Sequence, residues 1–137
     1  MGSVDAVSIE DLDLSLSINV RGVFLAAQAA ARQISDGCRI ITIGSSTAIG
    51  TGSAGSSVYA MTKAAVAAMA KGVALDLAPR RITVNNIQPG PTATDMTSSM
   101  IDRLKDGVPL RRVARPEETP ATCSRSVAFT PAVANRP

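Results

Sequence analysis

The sequence predicts an α/β fold built around parallel strands, and three segments of its 137 residues carry that prediction. Two short segments rich in β-branched residues, 39–45 and 82–88, have the composition of strands buried on both faces. The alanine-rich segment 58–78 between them has the length and composition of a helix. A strand, a helix and a strand in this order form a right-handed crossover, which makes the two strands parallel neighbours.

The segment before the first strand predicts a long amphipathic helix over 11–34. Ser8 precedes it and can cap its start, and Asp36-Gly37 marks its end. Its apolar residues recur at spacings of three and four: Leu12, Leu16, Val20, Val23, Ala27, Ala30 and Ile34. The second helix is expected to stop at Pro79, and residues 97–106 are predicted to form a further short helix.

The composition excludes several classes of function. Hydrophobic residues make up 45% of the chain but aromatic residues only 2%, which argues against a stacking platform for single-stranded nucleic acid. The net charge of +3 is too mild for a nucleic-acid footprint, so no nucleic-acid partner is expected. Because the chain has no histidine, serine–histidine and cysteine–histidine catalysis and histidine-ligated zinc are excluded, and no metal site is expected.

The first residues lack the basic and apolar regions of a secretory signal. No uninterrupted apolar run reaches the ~18 residues expected of a membrane span. We therefore expect a soluble cytoplasmic protein with no membrane partner.

The stretch GTGSAG at 50–55 matches the G-x-G-x-x-G pattern of a dinucleotide-binding turn. That turn must follow its strand immediately, whereas about five residues separate Gly50 from the predicted end of strand 39–45. The acidic residue expected after the next strand is also missing, because Gln88 is followed by Pro89 and Gly90. The pattern is interpreted as a flexible loop.

A tyrosine and a lysine beside this loop suggest acid–base chemistry. Tyr59 and Lys63 are spaced i, i+4 at the start of the second helix and share one face. A lysine ammonium close to a phenol favours the phenolate, which can then exchange a proton near neutral pH. Ser46 lies thirteen residues before Tyr59, just past a buried strand, where α/β sheets have their ligand crevice. A hydride for such a site must come from a cofactor.

These residues together resemble the short-chain dehydrogenase/reductase family, in particular its 3-oxoacyl-reductase-like members, over roughly residues 5–118. Gly44-Ser45-Ser46 is similar to the serine motif of the family, and Tyr59-Ala60-Met61-Thr62-Lys63 matches its YxxxK signature. The resemblance implies a partial Rossmann-like three-layer fold with parallel strands, the C-terminal half of such a domain. It also implies NAD(P)-dependent interconversion of a carbonyl and an alcohol on a small-molecule substrate, with NAD and NADP undecided.

The resemblance assigns roles to further residues. Asn19 matches the mid-helix asparagine that organises a proton-relay water, so the implied catalytic residues are Asn19, Ser46, Tyr59 and Lys63. The segment after the second strand resembles a cofactor-contacting proline–glycine segment. The implied cofactor-binding residues are Tyr59, Lys63, Pro89, Gly90, Thr92 and Thr94.

The chain departs from the family pattern at both ends. The TGxxxGxG turn and NNAG segment are missing from the 137 residues, and residues 119–137 lack the expected apolar helix and strand. We expect a partial catalytic domain over 1–118 and an atypical, disordered tail over 119–137, for which a shifted reading frame is one hypothesis. Self-association through helices 11–34 and 58–78 is expected. The alternative function is a truncated, non-catalytic protein or interaction module that self-associates or pairs with full-length relatives.

Overall fold

The structure, a computed structural model, describes residues 2–50 and 53–119. It has four α-helices and two strands: α1 (Ile9–Leu16), α2 (Val23–Gln33), β1 (Arg39–Ile43), α3 (Ser57–Leu77), β2 (Thr83–Ile87) and α4 (Ile101–Asp106). The helix predicted over 11–34 corresponds to α1 and α2 together, and its outer ends and those of β1, α3 and β2 lie within two residues of the predicted ones. Helix α4 begins four residues later than predicted, after a 3₁₀ turn, Ser98–Met100. The predictions for residues 120–137 and for Thr51 and Gly52 lie outside the described part.

Helices α1 and α2 form one continuous helix, Ile9–Gln33, called here the first long helix. It starts two residues earlier than predicted because the Ser8 hydroxyl accepts a hydrogen bond from the Asp11 N–H at 3.1 Å, which caps this end. A π-helical turn, Ser17–Gly22, joins the two helices. Such turns are rare and occur frequently at functional sites.

The two strands are parallel neighbours, as the crossover prediction requires. Ile40 lies opposite Val84 and Thr42 opposite Asn86 in the register. Helix α3 packs on this pair through a core of Ala70, Leu77, Ile82 and Val84. Ala31 and Ile34 near the end of the first long helix pack against the same core, so both helices cover this face.

Strand β1 is not buried on both faces, and this part of the prediction is wrong. Ile41 is 42% exposed and Ile43 is 52% exposed, whereas Val84 and Ile87 in β2 are buried. In residues 2–50 and 53–119 the sheet consists of β1 and β2 alone, so each strand has one unpaired edge. Ile41 and Ile43 alternate with Ile40, which packs against the core, and therefore lie on the opposite face of β1. That face is exposed in the described part of the chain.

Arg80 connects the end of α3 to the end of the first long helix. Its guanidinium donates hydrogen bonds to the carbonyl oxygens of Ala31 and Ile34 and pairs with the Asp36 carboxylate at 2.9 Å. The next residue, Arg81, adopts a left-handed conformation with φ of 57° and leads the chain into β2. The Arg80 contacts therefore join the end of α3 to the end of the first long helix.

The first long helix and the helix Ser57–Arg80 are both long and apolar enough to cross a membrane, with a mean hydropathy of 1.3. No uninterrupted apolar run indicates this in the sequence, because polar residues are distributed through both helices. Length and composition are weak evidence, since core helices pass the same test. Here the helices also pack on the strand pair.

Candidate active site

Tyr59 and Lys63 lie on the first two turns of α3, half-buried and one above the other. The Lys63 ammonium is 5.7 Å from the centre of the Tyr59 ring. The same ammonium donates a hydrogen bond to the carbonyl oxygen of Ile43 at 3.4 Å. Lys63 therefore contacts both the tyrosine and the carboxyl end of β1, which brings the YxxxK pair to the edge where parallel sheets bind ligands.

Ser46 lies directly beyond β1, in a short 3₁₀ turn, Ser46–Ala48. It is exposed, and its backbone N–H donates to the Pro89 carbonyl oxygen at 2.9 Å. The end of β1 is thereby joined to the proline–glycine segment that follows β2. The structure thus brings the predicted serine and the predicted cofactor-binding segment together.

Ser45 is a second hydroxyl at this position, and sequence reasoning gave it no role of its own. It is buried and precedes the 3₁₀ turn as its cap, with Oγ accepting from the Thr47 N–H at 3.2 Å and the Thr47 hydroxyl at 2.9 Å. The position of Ser45 directly after the strand is the feature of the sequence that could have identified it as a candidate. The thirteen-residue spacing to Tyr59 indicates Ser46 alone as the site serine.

Asn19 lies in the π-helical turn, and its side-chain amide donates to the Ser15 carbonyl oxygen at 3.2 Å. Asn19 and Tyr59 line the same cavity of about 260 Å³, together with Asp11, Ser15 and Thr62. Thr62 is fully buried and donates its hydroxyl hydrogen bond to the Tyr59 carbonyl oxygen at 2.8 Å. The asparagine and the tyrosine, forty residues apart in the chain, therefore share one polar space.

The segment after β2 is held by threonine hydroxyls. The Thr97 hydroxyl donates to the Thr92 carbonyl oxygen at 2.6 Å and accepts from the Thr94 N–H at 2.9 Å. Hydrogen bonds between Ala93 and Ala114 and between Ala114 and Pro91 fasten the same segment to the chain after α4. The space beside Gly90 is open, because a side chain there would meet no atom within 4 Å. Thr94 is exposed, and its hydroxyl lies 3.3 Å from the Thr97 hydroxyl.

The described residues of the glycine loop form its two ends, 46–50 and 53–56. Gly50 lies beyond the Ser46–Ala48 turn, and Gly55, with φ of +80°, approaches the backbone of Gly2. The Ser56 hydroxyl donates to the Ser53 carbonyl oxygen at 2.6 Å just before α3. The interpretation of GTGSAG as a flexible loop stays a prediction, because Thr51 and Gly52 lie outside the described residues.

Ion pairs near the end of the described chain shift the pKa values of two charged groups, Arg112 and Glu118. Hydrogen bonds from Arg112, and then from the Arg115 N–H, hold the pKa of the Glu118 carboxyl below its usual value. The same pair raises the pKa of the Arg112 guanidinium. No cluster of three or more potential metal ligands occurs within residues 2–50 and 53–119.

Comparison with known proteins assigns the family. The family model described as Enoyl-(Acyl carrier protein) reductase matches residues 1–125, which is most of the chain. Reductases and dehydrogenases named as short-chain dehydrogenase/reductase enzymes are among the similar proteins. The chain belongs to the short-chain dehydrogenase/reductase family, and its fold is a partial α/β Rossmann-like fold, as the sequence predicts.

Three relatives show the range of this similarity. The Cyclic-di-GMP-binding biofilm dispersal mediator protein of Escherichia coli K12 is 38% identical over 120 residues, 85% of this chain and 51% of that protein. The 3-oxoacyl-[acyl-carrier-protein] reductase of Synechocystis is 37% identical over 131 residues, 93% of this chain and 52% of that protein. A short-chain dehydrogenase of Burkholderia cenocepacia, solved in complex with NADP, is 38% identical with a TM-score of 0.85, over 90% of this chain and 51% of that one.

The chain therefore spans about half the length of the curated relatives it matches. The side chains at the carboxyl end of the strand pair include a phenol, an ammonium and hydroxyl groups. Such groups can exchange a proton with a bound oxygen and hold it by hydrogen bonds.

Proposed function

We propose that this chain carries the catalytic half of an NAD(P)-dependent oxidoreductase that interconverts a carbonyl and an alcohol. The observation that supports it best is the Lys63 ammonium, which lies 5.7 Å from the centre of the Tyr59 ring and donates to the carbonyl oxygen that ends β1. In this proposal Tyr59 exchanges the proton with the substrate oxygen. Lys63 stabilises the phenolate that remains, because its positive charge lies next to that ring.

Ser46 and Asn19 have supporting roles in the proposal. Ser46, exposed at the end of β1, donates its hydroxyl to the substrate oxygen and orients it toward Tyr59. Asn19 lines the cavity behind Tyr59 and supports a path by which the phenol regains its proton. Both roles require only hydrogen bonds to groups at the carboxyl end of the sheet.

The residues present fit the nicotinamide end of the cofactor. Lys63 offers an ammonium for a ribose hydroxyl, Thr92 and Thr94 offer backbone and hydroxyl groups, and open space lies beside Gly90, which follows Pro89. When bound, a nicotinamide cofactor supplies or accepts the hydride. A glycine turn for the pyrophosphate is not found among residues 2–50 and 53–119, and NAD and NADP are equally compatible with the groups named.

The test is turnover of a panel of ketones with NADPH and with NADH, measured for the natural chain and for Tyr59→Phe. The phenylalanine keeps the ring and removes the hydroxyl, so we expect a loss of at least about a hundredfold. Equal turnover by both proteins would contradict the role of Tyr59.

Ser45→Ala and Ser46→Ala form a matched pair for the serine. We expect Ser46→Ala to reduce turnover by about tenfold or more through loss of one hydrogen bond to the substrate oxygen. Ser45→Ala removes the cap of the 3₁₀ turn instead and is expected to lower stability. The reverse pattern would assign the substrate contact to Ser45.

The second candidate function is a non-catalytic module that self-associates or pairs with full-length relatives. The exposed apolar surface of the first long helix favours this function. Among the described residues of this helix, Ile9–Gln33, only Ala27 is buried. An open groove of about 700 Å³ runs between this helix and α3, with Leu16, Val20, Phe24 and Met69 in its lining. We propose association of two copies through this groove.

Sedimentation analysis tests the association. Phe24→Glu inserts a charge in the groove and is expected to give a monomer, while Met96→Glu, on the exposed segment after β2, leaves the assembly unchanged. An unchanged assembly in Phe24→Glu would place the contact elsewhere. Calorimetry with NADPH then distinguishes the two functions, since a module without cofactor binding releases no heat.

We also propose that residues 1–118 form the catalytic half of the domain. We further propose that the protein is soluble and cytoplasmic. Fractionation of cells that express a tagged chain tests the location, and recovery in the membrane fraction would contradict it.

A further inference from the structure

A buried polar pair lies at the carboxyl end of the strands, and the proposed chemistry does not use it. Asn86 lies opposite Thr42 in the register, and its side-chain amide donates to the Thr42 hydroxyl oxygen at 2.9 Å. The Thr42 hydroxyl donates in turn to the Asn85 carbonyl oxygen at 3.3 Å. The other amide atom, Asn86 Oδ1, is buried and has no hydrogen-bond partner among the described residues. An unsatisfied buried oxygen is unfavourable, so this amide is not explained by stability alone.

The Asn86 amide occupies the space where a side chain at position 44 would lie. A Cβ added to Gly44 would be 2.6 Å from Asn86 Oδ1 and 3.0 Å from Asn86 Nδ2. Real Cβ atoms do not approach other atoms to 2.6 Å, so any residue larger than glycine must displace this amide. The Asn86 amide therefore leaves room only for glycine at position 44, directly after β1.

The peptide unit beside this contact accepts a hydrogen bond from Lys63, the lysine of the proposed site. The Gly44 N–H donates to the Ile87 carbonyl oxygen at 2.7 Å, and the carbonyl of the same peptide, from Ile43, accepts from Lys63 at 3.4 Å. Because a peptide unit is planar, a contact that fixes the Gly44 end also fixes the direction of the Ile43 carbonyl. The amide of Asn86 thus lies against the unit that holds the Lys63 ammonium.

We infer that Asn86 is a positioning residue that holds the Ile43–Gly44 peptide in the orientation that Lys63 requires. The inference rests on the proposed function in one respect, namely that the Tyr59–Lys63 pair is the reacting centre. Without the Asn86 amide, the space above Gly44 opens, and the hydrogen bond of the Gly44 N–H to Ile87 alone holds this side of the peptide, which is then free to tilt. The Ile43 carbonyl then turns from Lys63, and the ammonium is no longer held beside Tyr59.

The contact between Asn86 and Gly44 is tested by urea unfolding of Gly44→Ala, Asn86→Ala and the double variant. Gly44→Ala lowers the unfolding midpoint because the new methyl group strikes the amide. In the double variant the methyl group occupies the space that the amide leaves, so the combined loss is smaller than the sum of the two. Additive losses would overturn the contact, and this measurement does not depend on activity.

The positioning of Lys63 is tested by the carbonyl ¹³C resonance of Ile43, measured by nuclear magnetic resonance. This carbonyl accepts the hydrogen bond from the Lys63 ammonium, so its chemical shift reports that contact. We expect Lys63→Met to move the resonance, because methionine removes the donor and keeps an unbranched side chain.

Asn86→Ala is expected to move the Ile43 resonance in the same direction by a smaller amount, and to move it no further in a Lys63→Met background. An equal shift with and without Lys63 would overturn the inference, since a merely structural change does not depend on the lysine. Asn86→Ser keeps a donor for Thr42 and replaces Asn86→Ala if the latter does not fold. Turnover that survives Tyr59→Phe would refute the proposed function, and the Ile43 resonance would still decide the role of Asn86.

Discussion

The two halves of this molecule are packed very differently. Helix α3 and strand β2 enclose Thr62, Val66, Ala70 and Val84, all of them buried. The first long helix and strand β1 have a comparable content of apolar residues, yet Leu14, Ile18, Phe24, Ile41 and Ile43 are exposed. The same kinds of residues therefore form a core in one half and a surface in the other.

This difference predicts which side of the fold the proposed self-association would use. Exposed apolar patches of this kind mark interaction surfaces, and an unpaired strand edge can pair with another strand. The chain spans about half the length of its curated relatives. We therefore expect its stability to depend on α3 and β2, and the proposed self-association to use the first long helix and β1.

The largest expected effect comes from a charge in the packed half. Val66 is 1% exposed, so Val66→Asp buries a carboxylate without a partner and is expected to lower the free energy of unfolding by at least about 3 kcal/mol. Leu25, which is 45% exposed, gives the matched control Leu25→Asp, expected to lower it by less than about 1 kcal/mol. Urea unfolding followed by circular dichroism measures both, and equal losses would remove the distinction between the halves.

A smaller effect is expected where the two halves meet. Arg80→Met keeps the aliphatic part of the side chain but leaves the carbonyl oxygens of Ala31 and Ile34 without their donor. We expect a loss of about 1–2 kcal/mol in the free energy of unfolding, together with faster amide hydrogen exchange near the end of the first long helix. Arg81→Met, at the neighbouring exposed position, serves as the control. Unchanged exchange at Ala31 and Ile34 in Arg80→Met would show that the junction is held by packing alone.

Local sequence patterns predicted the secondary structure of both halves but not this difference in packing. The apolar periodicity of the first long helix and the β-branched run of β1 identify a helix and a strand whichever partner covers them. Whether Ile41 and Ile43 are covered depends on neighbours that a local pattern does not contain. The Arg80 junction was missed for the same reason, because its acceptors lie more than forty positions away in the chain.

The candidate site was predictable where spacing determines geometry. Tyr59 and Lys63 share a helical face because they are four residues apart, and the end of a strand sets the position of Ser46. The π-helical turn around Asn19 has no signal in the residue pattern. The contact of Asn86 with Gly44 arises from strand register, which becomes known only when β1 and β2 are paired.

The uncovered edge of β1 provides a test with little effect on stability. Ile43→Lys places a charge on this edge, a device by which natural sheets prevent edge-to-edge pairing. Because Ile43 is already 52% exposed, we expect a change of less than about 0.5 kcal/mol in the free energy of unfolding and a lower tendency to aggregate in light scattering. Thr83→Lys, on the other strand, is the comparison. Unchanged scattering in Ile43→Lys would assign aggregation to the helices.

The smallest effect is expected in the segment after α4, where exposed ion pairs join Arg112 and Arg115 to Glu118. The Glu118 carboxylate accepts hydrogen bonds from Arg112 at 3.0 and 3.1 Å and from the Arg115 N–H at 3.0 Å, and these hold its pKa below the usual value. A lowered pKa in the folded state means that the contact stabilises at neutral pH and is lost as the pH falls through that value.

Removing the guanidinium tests this contact. In Arg112→Met the pKa of Glu118 rises toward its usual value, which a titration of the side-chain carboxyl signal by nuclear magnetic resonance detects, while Arg103→Met in α4 leaves it unchanged. The urea midpoint stays the same within error, because exposed pairs contribute little to stability. A large fall in that midpoint would show that residues 111–118 belong to the packed half, and the boundary drawn between the two halves would have to include them.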